Sequence, residues 1–217
     1  MSGAAPGLAG VRTGAAGVEP GPRVRGRPRD PAVDAAILDA AVGLIRERGY
    51  AGTSIETVAT HAGVGKATIY RRYGGKAELV GAALGKLRDD GGRPPTGDPR
   101  ADLADLLRRV RAAVEEAGMT MVGTLMAAEH ENPELLEQFR AHAVGPGRDQ
   151  ARAILERARD EGRLREGADT ELAIDMLVGP LFARKVAGVR FPRDWVDRVV
   201  EALWRSIARE PGEDRSR

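Results

Sequence analysis

The sequence predicts an all-α protein in two parts, an N-terminal three-helix helix-turn-helix head and a larger C-terminal helical body. Three observations carry this. Beyond residue 30, apolar residues recur at helical spacing and no stretch alternates as a strand would. A run of Asp, Gly, Arg, Pro and Thr at 89–99 reads as a linker. Two short helices meet at the tight turn Gly63-Val64-Gly65.

Composition narrows the class. The 217 residues are 42% hydrophobic and 30% charged, enough for a sizeable core. There are no cysteines, which excludes disulfides, thiolate zinc sites and cysteine nucleophiles. No apolar run approaches the roughly 18 residues of a membrane span, and no apolar signal segment opens the chain, so a soluble cytoplasmic protein is expected. The net charge of +2 hides an asymmetry. Residues 23–88 carry 12 Lys and Arg against 6 Asp and Glu, whereas residues 99–217 carry 20 against 22. A basic head on a slightly acidic body fits a nucleic-acid-binding module joined to something else.

Residues 1–22 are rich in Gly, Ala and Pro and poor in large apolar side chains, so a disordered tail over 1–29 is expected. It ends in Arg23, Arg25, Arg27 and Arg29. The head, 30–88, opens at Asp30-Pro31, with Asp30 as helix cap and Pro31 at the first helical position. Ile37, Leu38, Ala41, Leu44 and Ile45 follow on one stripe, and Gly49 ends the helix. Thr53 and Glu56 read as the capping box of the second helix, which buries Ile55, Val58, Ala59 and Ala62. A third helix runs from Lys66 to about Tyr73 with Ile69 inward. A fourth, from Lys76, carries Leu79, Val80, Ala83, Leu84 and Leu87 and bridges head and body.

The body, 100–217, reads as a series of amphipathic helices. One runs to about Gly118 and a second, unusually apolar, from Met119 to His130. Another opens at Pro133 and is expected to break at Gly145-Pro146-Gly147, before a helix from Ala151. The last two span about Asp169–Val186 and Pro192–Arg209.

The chemistry concentrates at Ile55–Tyr73. Ala59 is small where the second helix crosses, Gly63 allows a left-handed turn, and Val64 and Ile69 plug the gap. Such a pair places its second helix in the DNA major groove. That helix exposes Lys66, Ala67, Thr68, Tyr70, Arg71 and Arg72. Arg and Lys suit guanine O6 and N7, Thr68 offers a methyl or hydroxyl contact, and Tyr70 suits a phosphate. Tyr73 is read as core. The arginine run at 25–29 is read as an arm for a narrow minor groove.

From about Asp34 to Leu87 the chain closely resembles the N-terminal domain of TetR/AcrR-type transcriptional regulators. The likeness rests on Ile37-Leu38-Asp39-Ala40-Ala41, Gly49-Tyr50, Thr53-Ser54-Ile55, Val58-Ala59, Ala62-Gly63-Val64, Ile69-Tyr70, Tyr73 and Lys76. Two departures stand out: Gly65 replaces a polar helix cap, and Tyr73 replaces a phenylalanine. The resemblance implies a homodimer on a near-palindromic double-stranded operator, with Thr53, Tyr70 and Lys76 at phosphates. It also implies a C-terminal domain for ligand binding and dimerisation. Asp175-Met176-Leu177-Val178-Gly179-Pro180-Leu181 resembles a phrase found in one subgroup.

For an unknown small-molecule effector the adaptable side chains are Met119, Met121, Leu125, Met126, Phe139 and Phe182. For the dimer, the apolar stripes of the last two helices offer Leu177, Leu181, Val196, Val200, Leu203 and Trp204. No cofactor or metal site is expected, since His130 and His142 lack ligand spacing. No Walker A, His-Glu-x-x-His or Gly-x-Ser-x-Gly motif points to an enzyme. The expected function is a dimeric repressor released by an effector. The alternative is an adaptor that recruits a protein partner, which a closed body would favour over a cavity.

Overall fold

The computed structural model describes Gly3, residues 30–89 and residues 92–209. The predicted tail at 1–29 and its arginines lie outside the described residues, except for Gly3. Contacts divide the chain after Asp30, and all the helices belong to the compact unit Pro31–Arg217. They are α1 (Pro31–Gly52), α2 (Ile55–His61), α3 (Lys66–Tyr70), α4 (Lys76–Asp89), α5 (Pro99–Glu131), α6 (Pro133–Phe139), α7 (Gly145–Asp160), α8 (Thr170–Val186) and α9 (Trp195–Ile207). A π-helical turn, Arg140–Val144, joins α6 to α7. Among the described residues there is no strand, only an isolated bridge between Leu164 and Ala208, and no helix is long and apolar enough to cross a membrane.

Two glycines set the breaks that the sequence announces. Gly49 (φ 66°) interrupts α1 and Gly118 (φ 76°) interrupts α5, both in the left-handed region that a side chain disfavours. The cap of α2 sits one residue later than expected. Ser54, not Thr53, is the N-cap. Its Oγ accepts from the Thr57 N–H at 3.1 Å, and Thr57 Oγ1 accepts from the Ser54 N–H at 3.0 Å. Thr53 instead donates its hydroxyl to the Gly49 carbonyl at 2.8 Å, satisfying a helix-end acceptor that the break leaves open.

Gly145-Pro146-Gly147 does not break the chain into separate helices. Pro146 has no N–H to return to the carbonyl four residues back, and the ladder widens to absorb it. The Gly145 N–H reaches the Arg140 carbonyl, one residue further than in an α-helix. Nearby, Arg88 donates from Nη1 to the Ala143 carbonyl at 2.9 Å.

Two apolar clusters hold the unit together. One joins α1–α4 and takes in Met121, Ala128 and Leu135. The other joins the first half of α5 with α7, α8 and α9. The linker therefore does not mark the edge of the head's core. Buried Asp102 pins the linker, accepting from the Thr96 N–H at 2.7 Å, the Thr96 hydroxyl at 2.8 Å and Arg157 at 2.7 Å.

Helix α4 lies close against α6 and the π turn. A Cβ on Gly81 would stand 2.8 Å from the Gln138 carbonyl oxygen, and one on Gly85 would stand 2.5 Å from that of His142. Only glycine fits where backbone meets backbone at this distance.

Candidate nucleic-acid interface and ligand cavity

Ile69 is fully buried between α2 and α3, Val64 packs beside it, and Gly63 turns with φ 66°. That locks α3 so that Gly65, Lys66, Ala67, Tyr70 and Arg71 face outward, with Thr68 half-buried. Regular α3 ends at Tyr70. Arg71, Arg72 and Tyr73 continue in turns, their N–H groups bonding to the Ala67 and Ile69 carbonyls. Tyr73 packs on the head core.

The exposed cations differ in what engages them. Lys66 pairs with Glu56 at 2.8 Å on the surface, and this hydrogen bond holds the Glu56 carboxyl below the usual range. Arg71 donates to the Thr68 hydroxyl at 3.3 Å and is otherwise directed outward. Arg72 is different: its side chain is only 11% exposed and its Nε pairs with Asp34 of α1. Thr53 is also withdrawn, at 1% exposure. These two positions, expected at DNA, have side chains already engaged inside the head.

Lys76 begins α4 half-buried, with Nζ 4.0 Å from the centre of the Tyr50 ring. Burial pushes its ammonium pKa down and likewise pushes the Tyr50 phenol up. The Tyr50 hydroxyl in turn accepts from Asn132. Asn132 also caps α6, its Oδ1 accepting the Leu135 N–H at 3.1 Å.

In the body, a cavity of about 480 Å³ opens between α4, α5, α6–α7 and α8. Met121, Leu125, Met126, Phe139 and Phe182 all line it. The side chain of Met119 lies outside the described residues. Leu84 and Arg88 bring α4 into the same wall.

Two family profiles match. Residues 37–83 match "Bacterial regulatory proteins, tetR family" and residues 93–203 match "Tetracyclin repressor-like, C-terminal domain". The chain belongs to the TetR family. This TetR-family chain is 34% identical over 161 residues to the uncharacterised HTH-type transcriptional regulator YdeS of Bacillus subtilis (strain 168), covering 74% of this chain and 81% of YdeS. It is 30% identical over 171 residues to the DNA-binding transcriptional repressor TetR of Mycobacteroides abscessus, covering 77% of this chain and 89% of that one. The crystal structure of the TetR family transcription regulator SCO0332 superposes with a TM-score of 0.64 at 28% identity, covering 80% of this chain and 97% of SCO0332. As a TetR-family member the chain is a DNA-binding transcriptional regulator and not an enzyme.

The stripe expected at the dimer face is largely buried within the single chain. Leu177, Leu181, Val196, Val200 and Leu203 are 0–4% exposed inside a single chain, and Trp204 packs against the same cluster. They form the intramolecular core because α8 and α9 close directly onto α5 and α7. The opposite face of α8 is the open one. Leu172 (55% exposed), Met176 (41%) and Val186 (66%) lie on it with exposed Gly179 and Ala183. Their 4-3-4-3 spacing was readable in the sequence. Because α8 is apolar on both sides, spacing alone does not say which side is inward. Asp34, Asn132 and Arg140 carried no local signal and become visible only through their partners or their place in the cavity.

Proposed function

We propose that this chain is a cytoplasmic dimeric repressor that holds a near-palindromic double-stranded operator and leaves it when a small-molecule effector fills the body cavity. The observation that carries the reading is the double role of α4. Its Leu84 and Arg88 wall the cavity, while its first residue, Lys76, stands beside the helix-turn-helix. An effector that binds better to a conformation with α4 displaced shifts the population away from the DNA-competent state. The cavity favours this over an adaptor with a closed body.

Base reading is assigned to Lys66, Ala67, Thr68 and Arg71, and phosphate contact to Tyr70 and Lys76. Arg25, Arg27 and Arg29, outside the described residues, are assigned to a minor-groove arm. The open apolar stripe of α8 supports self-association, which would set two recognition helices about 34–36 Å apart.

The test is fluorescence anisotropy of the full chain on DNA upstream of its own gene, against scrambled DNA and across salt concentrations. The reading expects sequence preference, two chains per duplex, and a flatter salt slope after removal of residues 1–29. Equal affinity for scrambled DNA, or one chain per duplex, would overturn it.

A further inference from the structure

The cavity lining carries an unusual balance of charge. Among the described residues its polar side chains are three arginines, Arg88, Arg140 and Arg148, with no carboxylate, hydroxyl, amide or imidazole beside them. All other lining residues are aliphatic, Phe, Met or Gly. A cationic ligand would meet like charge at the lining and no described carboxylate facing it there. A ligand with neutral hydrogen-bond donors would find no side-chain acceptor among the described lining residues and would lose that hydration uncompensated.

The three arginines are not equivalent. Arg88 is buried and pairs with Asp89 while donating to the Ala143 carbonyl. Arg148 pairs with Asp175 at 2.6 Å and Glu171 at 2.7 Å. Arg140, the first residue of the π turn, is exposed and has no acidic partner among the described residues. It stands next to Phe139, another lining residue, and with exposed Met126 it marks where the cavity reaches the surface. A guanidinium stays ionised at any physiological pH and presents a planar fork that suits a carboxylate.

We infer that the cavity takes an amphipathic carboxylate, its apolar body among the Met, Phe and aliphatic side chains and its headgroup at Arg140. This rests on reading the cavity as the effector site, and binding is therefore measured apart from DNA release. The probes are decanoate, 1-decanol and decyltrimethylammonium, titrated calorimetrically into the full-length protein. Decanoate should bind at least about tenfold more tightly than decanol, and the ammonium more weakly than both; tenfold corresponds to about 1.4 kcal/mol. Arg140→Gln should remove the advantage of decanoate without changing decanol binding, and Arg140→Lys should restore most of it. Thermal melts of each variant verify folding. Equal binding of decanoate and decanol, an unchanged ratio in Arg140→Gln, or binding of none of the three overturns the inference. If decanoate binds through Arg140 but the operator complex persists at saturation, the ligand class stands and the effector reading fails.

Discussion

Asn132 donates from Nδ2 to the hydroxyl of Tyr50 at 3.0 Å. This bond ties the start of α6, whose Leu136 and Phe139 wall the cavity, to the aromatic ring that carries Lys76. Tyr50→Phe removes the bond and keeps the ring. It should cost about 0.5–1.5 kcal/mol in chemical denaturation. Asn132→Asp should keep the cap on Leu135 yet lose the donor. In both variants operator affinity without ligand should stay near wild type, while the ligand-induced drop shrinks. A full ligand response in both, measured by operator anisotropy, would remove the bond from the coupling route.

Arg71 and Arg72 are neighbours whose side chains part, one outward and one onto Asp34. Arg72→Ala leaves Asp34 without its partner and should destabilise the fold by about 1.5–3 kcal/mol. Arg71→Ala should leave the melting temperature unchanged and lower discrimination between operator and scrambled DNA by about 1–3 kcal/mol. Denaturation curves and competition gel-shifts on both variants separate the two.

Gly85 and Gly43 should respond oppositely to alanine. At Gly85 the new Cβ meets the His142 carbonyl, and overpacking should cost about 1–3 kcal/mol. At Gly43, within α1, nothing lies within 4 Å, and the loss of chain entropy in the unfolded state should stabilise by about 0.5–1 kcal/mol. Urea midpoints measure both.

On α8, adjacent residues should divide into association and stability. Met176→Glu should shift the protein to monomer in sedimentation without loss of helicity. Leu177→Ala opens a cavity in the core and should cost about 2–5 kcal/mol. A dimer that persists in Met176→Glu would move the interface elsewhere.

Glu171 links α7 to α8 through Arg152 and Arg148, and these hydrogen bonds hold its carboxyl down to about 2 from an ordinary 4.5. The depressed value means that the contribution is complete above the unfolded pKa. It is lost as pH falls from about 4.5 through about 2. Glu171→Gln should therefore flatten the acid side of the stability profile, and 0.5 M salt should weaken the same dependence, since the pair is exposed. A wild-type profile in the variant would place the acid sensitivity in another group.

The sequence by itself determined the all-α class, the helix-turn-helix and the family resemblance. Those depend on local signals: 3.6 spacing, the Gly63 turn, the small Ala59 and the breaks at Gly49 and Gly118. Five of the six residues expected at a cavity also line one, because soft apolar side chains on three helices had only the body interior to share. Tertiary structure alone decided which side of each element is inward. It turned the Leu177 stripe of α8 into core and left Leu172 and Met176 open, drew Arg72 into a pair with Asp34, and moved the α2 cap to Ser54. It also carried the helix through Pro146 on a π turn and left Arg140 without an acidic partner among the described residues at an apolar cavity. The inward faces and the Arg72–Asp34 pair depend on partners far away in the chain, which residue spacing along one helix does not encode; the cap and the π turn depend on local geometry that the spacing leaves open.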